Sequence, residues 1–473
     1  MSADTENTKH QNTGASRDDV EAALYKKREK IYPRQVHGIF ALLRNLAMVG
    51  LLGIFYGLPW IDWGGRQAVL FDLPARKFYI FGLTLWPQDF IYLSLLLILA
   101  ALSLFFFTAL AGRLWCGYAC PQTVWTEIFM WIERKVEGDR KDQIKLDKAP
   151  LSAKKLARKG SKHLIWMAFA LWTGFTFVGW FTPIKTLYGE LATFSLGPWE
   201  TFWILFYGLA TWGNAGFLRE QVCIYMCPYA RFQSAMFDKD TLLIAYDEKR
   251  GEPRGSRKRG VDHRTEGLGD CINCQICVQV CPTGIDIRDG LQYQCIGCAA
   301  CVDACDDVMD KMGYPKGLVR YTTENALEGK KTHLLRPRVI IYASLLTVLL
   351  GALITALAVR VPLELDILRD RSTLYQETSE GLVENVYTLK IINMTDREQT
   401  YQLSVKGIDG AQLINRQGEV SVDPGAVLDL PVRVRADPVN LEAASSDIVF
   451  VVESQTTKGL RLEETGRFLG PAL

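Results

Sequence analysis

Eight cysteines fall in two runs of one spacing, Cys271-x-x-Cys274-x-x-Cys277-x-x-x-Cys281-Pro282 and Cys295-x-x-Cys298-x-x-Cys301-x-x-x-Cys305. This is the spacing of a bacterial two-cluster ferredoxin, in which three close thiolates grip one iron cube and the fourth reaches across to the other. The pattern predicts two 4Fe–4S clusters. One uses Cys271, Cys274, Cys277 and Cys305; the second uses Cys295, Cys298, Cys301 and Cys281. Asp306 stands where the second run would carry proline, a departure that removes no ligand. Zinc is the competing reading, but it prefers four ligands in two CxxC pairs and fits eight tandem cysteines poorly. Clusters of this kind move one electron at a time, so the segment reads as an electron relay.

The remaining cysteines form two matched elements, Cys116-Gly-Tyr118-Ala-Cys120-Pro121 and Cys223-Ile-Tyr225-Met226-Cys227-Pro228. Each follows an arginine, Arg113 or Arg219, and together they suggest an internal repeat. On a helix, positions i and i+4 share a face, so both thiols of a pair can reach one metal. If Pro121 opens a new helix instead, Cys120 sits at its N-terminus, and 121–137 is that interfacial helix. Soft thiolates favour Cu(I), zinc or iron–sulfur centres, and Met226 would suit Cu(I). The bland reading makes these cysteines small buried packing residues; two matched pairs with shared Tyr and Pro favour function. A redox disulfide within a pair remains open on sequence alone.

These residues sit in a chain of 473 residues, 49% of them apolar and clumped in long runs. Five segments have the length and apolarity of membrane spans: 38–58, 89–111, 163–182, 200–218 and 338–360. Lys and Arg alternate between loops, with eleven of them in 131–162. The positive-inside rule then puts the N-terminus and the loop 238–337 in the cytoplasm and everything after the last span outside. Residues 1–37 read as a disordered cytoplasmic tail, 38–237 as a four-span membrane domain, 238–337 as the ferredoxin domain, and 338–361 as the fifth span. In 362–473, runs such as Val386–Ile392, Tyr401–Val405, Leu430–Arg435 and Asp447–Glu453 alternate with period two between turn signals. They predict a periplasmic β-sandwich of immunoglobulin type. The expected fold class is thus an α-helical membrane protein with an α+β ferredoxin insert and a C-terminal sandwich.

Arg44 lies in the first span, where it either snorkels to the cytoplasmic face or faces a polar bundle interior. His37 and His163 flank spans and read as interface residues. The net charge of +2 argues against a nucleic-acid partner.

The order of elements resembles the cytochrome c oxidase accessory proteins called CcoG, FixG or RdxA. Local strings carry the likeness too: Phe71-Asp-Leu-Pro-Ala-Arg-Lys-Phe78, Trp86-Pro-Gln-Asp-Phe90, Gly112-Arg-Leu-Trp-Cys-Gly-Tyr-Ala-Cys-Pro-Gln-Thr-Val-Trp125 and Arg369-Asp-Arg371. The resemblance implies a bacterial inner-membrane cupric reductase that supplies Cu(I) to a cbb-type oxidase. It implies copper at Cys116, Cys120, Cys223 and Cys227, with a cytoplasmic electron donor, oxidase subunits or copper chaperones as partners. A homodimer is compatible with it. A quinol-linked membrane polyferredoxin and a non-enzymatic assembly factor are the competing readings.

Overall fold

The computed structural model describes residues 30–258, 267–415, 418–441 and 443–471. Of the expected tail, 1–29 lie outside the described residues. Residues 30–37 are laid on the protein, contrary to the expected disorder. Lys30 bonds Glu133 at 3.1 Å, the Tyr32 hydroxyl donates to Asp147 at 2.6 Å, and the Arg34 amide donates to the Gln279 carbonyl at 2.8 Å. Acidic partners far along the chain hold a stretch whose own composition is polar.

Helix α1 (Ile39–Gly57) leads to a small antiparallel sheet, β1 (Val69–Asp72), β2 (Lys77–Ile80) and β3 (Leu83–Leu85). Helix α2 (Phe90–Ala111) follows, then the short α3 (Leu114–Tyr118) and α4 (Pro121–Glu137). Helices α5 (Ala153–Val178) and α6 (Pro198–Thr211) form a second pair, with α6 continuing as a π-helix over Trp212–Leu218. Helix α7 (Pro228–Met236) precedes the insert, which contains β4 (Leu243–Tyr246), α8 (Ile276–Gln279), α9 (Ala300–Met312) and β5 (Val319–Thr322). Helix α10 (Pro337–Val359) packs along α2.

Among the described residues, three helices are long and apolar enough to cross a membrane: Ile39–Trp60, Pro87–Ala111 and Pro337–Val359. The other two expected spans fall on α5 and on α6 with its π extension. Helix α5 begins with Lys154, Lys155, Arg158, Lys159 and Lys162, which shorten its apolar part. α5 and α6 approach closely through glycine. A Cβ on Gly174 would lie 2.9 Å from the Gly208 nitrogen and closer still to the Ile204 carbonyl oxygen, the small-residue contact of membrane helix pairs.

The C-terminal part is a β-sandwich built from β6 (Leu363–Arg369), β7 (Val383–Asn393), β8 (Gln399–Lys406), β9 (Gln412–Ile414), β10 (Val420–Val422), β11 (Val427–Ala436), β12 (Ser445–Ser454) and β13 (Arg461–Leu469). One sheet runs β9–β11–β7–β6 and the other β10–β8–β12–β13. Strand alternation turns Tyr387, Leu389 and Ile391 of β7 inward against Val432, Phe450 and Phe468, which replaces the missing disulfide by packing. The β1–β3 sheet abuts this sandwich. Trp86 packs on Ile392 and Met394, and Lys77 donates to the Gly425 carbonyl at 2.6 Å.

A buried ion pair fixes the junction of α10 with the sandwich. Arg360 donates to Asp89 at 3.0 and 2.5 Å, and both side chains are 9% exposed. Asp89 also accepts the Trp86 amide at 2.9 Å. Asp89→Ala would leave the guanidinium buried and unpaired, a loss of roughly 3–5 kcal/mol. The expected outcome is a lower thermal midpoint and faster tryptic cleavage at Arg360, measured on the purified full chain.

Candidate iron–sulfur and thiol site

The insert is held by the β4–β5 ladder, with Leu243 opposite Thr322 and Tyr246 opposite Val319. Two loops of equal design emerge from it, offset by 24 residues. Asn273 and Gly297 both have positive φ, 53° and 69°, and so do Gln275 and Ala299, 57° and 58°. Each of the latter pair starts a helix, α8 or α9. Three non-glycine residues in the left-handed region cost energy, and the loops they shape are the cysteine loops.

One hollow is ringed by Cys271, Cys274, Cys277 and Cys305. Its neighbour is ringed by Cys281, Cys295, Cys298 and Cys301, with Cys277 on the shared wall. The fourth cysteine of each run thus crosses to the other hollow. Among the described residues, no three His, Cys, Asp or Glu side chains gather closely enough to hold a single metal ion. Thiols spread around a hollow in fours suit a cube with irons at separate corners and do not suit zinc. Backbone N–H groups of Gly297, Ala300 and Val319 face the thiols of Cys295, Cys298 and Cys305; such bonds tune a cluster's potential. Burial pushes the Cys277 thiol up to about 11 and the Cys298 and Cys305 thiols to about 12, so metal loading must displace protons. Cys274 is exposed, whereas Cys271 is buried.

The CxxxCP elements have one local structure, offset by 107 residues. The chain turns at positive φ at Gly112 (55°) and Arg219 (43°). Cys120 and Cys227 then donate their amides five residues back, to the carbonyls of Trp115 and Val222, at 2.9 and 2.8 Å. Each is the extended N-cap of a helix that begins with proline, α4 or α7. The expected i,i+4 arrangement on one helix face is therefore replaced. Cys116 lies in α3 and Cys223 in a π-helical turn, while the second cysteine of each pair is off the helix. A residue before proline is driven out of the helical region. Arg113 and Arg219 are not equivalent in this repeat, because Gly112 occupies the turn position of Arg219.

These thiols are neighbours in pairs: Cys116 has Cys120 and Cys223 nearby, and Cys223 has Cys120 and Cys227. Burial first, then the neighbouring thiols, push Cys116 up to about 12 and Cys223 to about 11. The two elements clamp each other crosswise. Arg113 donates to the Ala230 carbonyl in α7 at 2.9 Å, and the Thr108 and Tyr229 hydroxyls share a bond of 2.5 Å. In return Arg219 donates to Glu133 in α4 at 2.7 Å, and Gln122 donates to the carbonyls of Asn214 and Arg219 at 3.0 and 3.1 Å. Burial alone would raise Glu133, but Arg219, Lys30 and Lys162 outweigh it and hold the carboxyl at about 2.

The thiol quartet abuts the second hollow. A Cβ on Gly117 would lie 2.7 Å from the Gly297 oxygen and 3.0 Å from the Cys298 Cα. Arg113 also donates to the carbonyls of Tyr293 and Cys295, and Arg44 donates to that of Cys298. Tyr321 donates to the Gly297 carbonyl at 2.6 Å and meets Tyr118 at 3.4 Å. Asp303 of α9 accepts the Phe40 and Ala41 amides at 3.2 and 2.7 Å, capping α1.

Family models match three stretches of the chain: a 4Fe–4S binding domain over 93–137, a 4Fe–4S dicluster domain over 218–324 and the IG-like fold at the C-terminus of FixG over 353–471. The nitrogen fixation protein FixG of Rhizobium meliloti is 36% identical over 93% of this chain and 92% of its own length. Protein RdxA of Cereibacter sphaeroides is 41% identical over 87% and 88% of the two chains. The chain belongs to the FixG/RdxA family. A crystal structure of a FixG-related protein from Vibrio parahaemolyticus is 34% identical over 23% of this chain and 95% of its own, with a TM-score of 0.21. As a FixG-type protein with a dicluster domain, the chain is a membrane-associated iron–sulfur electron-transfer protein, and its chemistry is redox chemistry.

Sequence reasoning missed Asp303 and Tyr321 as parts of this site and left Arg44 between two roles. An arginine inside an apolar span and an acid inside a cysteine helix were the available signals. His163 stacks on Phe217 and meets Trp166 edge-on. Gly117→Ala is expected to separate the thiol element from the Cys295–Cys298 loop, because both contacts are backbone. The check is EPR of the reduced protein: one cluster signal should shift while the other keeps its shape.

Proposed function

We propose that this protein is a five-span oxidoreductase of the bacterial inner membrane. It carries two 4Fe–4S clusters on its cytoplasmic side and reduces Cu(II) to Cu(I) at the CxxxCP thiols. The helices α5 and α6 supply the two spans that fall short in apolar length. The N-terminus is cytoplasmic, and the sandwich is periplasmic. Cys271, Cys274, Cys277 and Cys305 hold one cluster, and Cys295, Cys298, Cys301 and Cys281 hold the other. Bound there, the clusters supply single-electron storage next to the membrane thiols.

The observation that carries this reading is the contact of Gly117 and Tyr118 with Gly297, Cys298 and Tyr321. It puts Cys116 and Cys120 against the loop of the second hollow. The exposed Cys274 loop is the natural face for a cytoplasmic electron donor. Electrons then have a short path through the shared Cys277 wall to the thiol quartet. Each electron converts one Cu(II) to Cu(I). Thiolates bind the soft Cu(I) state better than the harder Cu(II) state, which favours reduction. Cu(I) accepts as few as two thiolates, so cysteines drawn in pairs from Cys116, Cys120, Cys223 and Cys227 suffice without a single-ion cage. Copper chaperones or oxidase subunits would take the product, with the sandwich as docking module.

Cys116→Ser and Cys227→Ser are expected to cut Cu(I) formation at least about tenfold while cluster absorbance is retained. The assay uses anaerobic protein reduced with dithionite and then freed of it by desalting, excess Cu(II) and a chromogenic Cu(I) chelator. Unchanged Cu(I) formation in both variants would overturn the proposal.

A further inference from the structure

Gln233 lies in α7 and is fully buried, at 0% exposure. Its Oε1 accepts from the Cys116 thiol at 3.5 Å, so the second CxxxCP element reaches across to the first cysteine of the other. Among the described residues, its Nε2 has no hydrogen-bond partner. The same holds for Nε of the buried Arg113, whose first titratable neighbour is Cys116. Leaving a buried donor unmade is costly. Two such N–H groups beside one thiol point to an acceptor that forms there. The Tyr229 oxygen lies next to the Gln233 amide but outside hydrogen-bond geometry. Thr108 donates to the Leu104 carbonyl at 2.7 Å, so Tyr229 is the donor in its 2.5 Å bond to Thr108. The equivalent of Gln233 in the first element is Thr126, whose hydroxyl accepts from Gln122 at 3.3 Å. The amide is therefore not repeated at that position.

We infer that Gln233 is a positioning residue for copper at Cys116: its amide turns over when the metal replaces the thiol proton, and Nε2 then donates to the metal-bound sulfur. This deepens the copper reading above and rests on it. The S–H bond breaks as the copper–sulfur bond forms, and the proton goes to solvent. A sulfur without its proton is an acceptor only, so the carbonyl end of the amide loses its donor there and the N–H end gains an acceptor. Oε1 then faces Tyr229, whose hydroxyl can turn its proton from Thr108 to that oxygen. The donor that is idle in the metal-free site is thereby used.

Charge gives the turned amide a preference between copper states. Cu(II) held by Cys116 and one neighbouring thiolate is neutral. One electron from the clusters makes Cu(I) between the same two sulfurs, with one net negative charge. An N–H donor and a guanidinium beside the sulfur stabilise that anion more than the neutral form. Gln233 thus favours the reduced state, in which copper leaves as product.

The test uses full-length anaerobic protein, supplied Cu(I) and a chromogenic chelator as competitor. Gln233→Leu keeps the site filled and removes the N–H donors. It is expected to lower Cu(I) affinity about tenfold, the scale of one lost hydrogen bond to a charged group. The thiolate-to-copper charge-transfer band should move to longer wavelength, because the sulfur loses a donor. Cluster absorbance and EPR should be unchanged; where Gln233→Leu loses its clusters, Gln233→Ala takes its place. In a Cys116→Ser background the Gln233 substitution should have no further effect, since the amide acts through that sulfur. Wild-type affinity with an unmoved band in the Gln233 variant, or an undiminished effect in the Cys116→Ser background, would overturn the inference and leave copper at the thiols. Cu(I) affinity that does not fall in Cys116→Ser itself would overturn the copper reading and this inference with it.

Discussion

Gly117 and Gly297 meet where neither backbone has room for a side chain. Gly117 lies between two thiols of the membrane element, and Gly297 lies between two thiols of the ferredoxin loop. Their contact therefore sets the distance between two sulfur centres that are 180 residues apart in sequence. Electron transfer falls steeply with distance, so a packing constraint becomes a functional one. Arg113 and Tyr321 hold the same loop from either side by donating to its carbonyls. Carbonyl acceptors suit this purpose, since they position the loop without competing for its thiols.

Two repeats meet at this contact. The ferredoxin repeat presents two cysteine loops of one local design, and the CxxxCP repeat presents two elements of another. In both, a residue from one half completes the other half. Cys281 and Cys305 cross between the hollows, and Arg113 and Arg219 cross between the elements. Crossing of this kind makes each half incomplete alone. It also ties the apolar helices to the cysteine loops of the insert.

Cysteine spacing alone makes both thiol rings of the insert legible, because three ligands within seven residues leave the chain little choice. The sandwich strands are legible for a similar reason: burial in β7 alternates with period two from Asn385 to Ile391, between ends that are buried throughout. The helix expected over 121–137 is present, since proline at its start and an amphipathic pattern are local signals. What is not legible is long-range. No local signal tells Gly117 that it will meet Gly297, or Asp303 that it will cap α1. The short β1–β3 sheet escapes a sequence reading because strands of three or four residues depend on the sandwich they pack against. The helical placement of Cys120 and Cys227 fails for a reason present in the sequence. The following prolines, Pro121 and Pro228, exclude the helical conformation one residue earlier.

Charge gives the strongest argument that the two sulfur centres work as one unit. Arg113 is 8% exposed, and the partners of its guanidinium are the backbone carbonyls of Tyr293, Cys295 and Ala230. Its titratable neighbours include thiols from both centres, Cys116, Cys223 and Cys295. A guanidinium stays charged at any physiological pH, and a buried charge without a counter-charge is expensive. Thiolates bound to metal would supply that counter-charge. A single cation shared by two anionic sulfur centres couples them electrostatically: reduction of one adds negative charge that the same arginine must balance for both. The insert is thus joined to the membrane element by charge as well as by packing, and a soluble ferredoxin merely tethered to a span would need no such arginine.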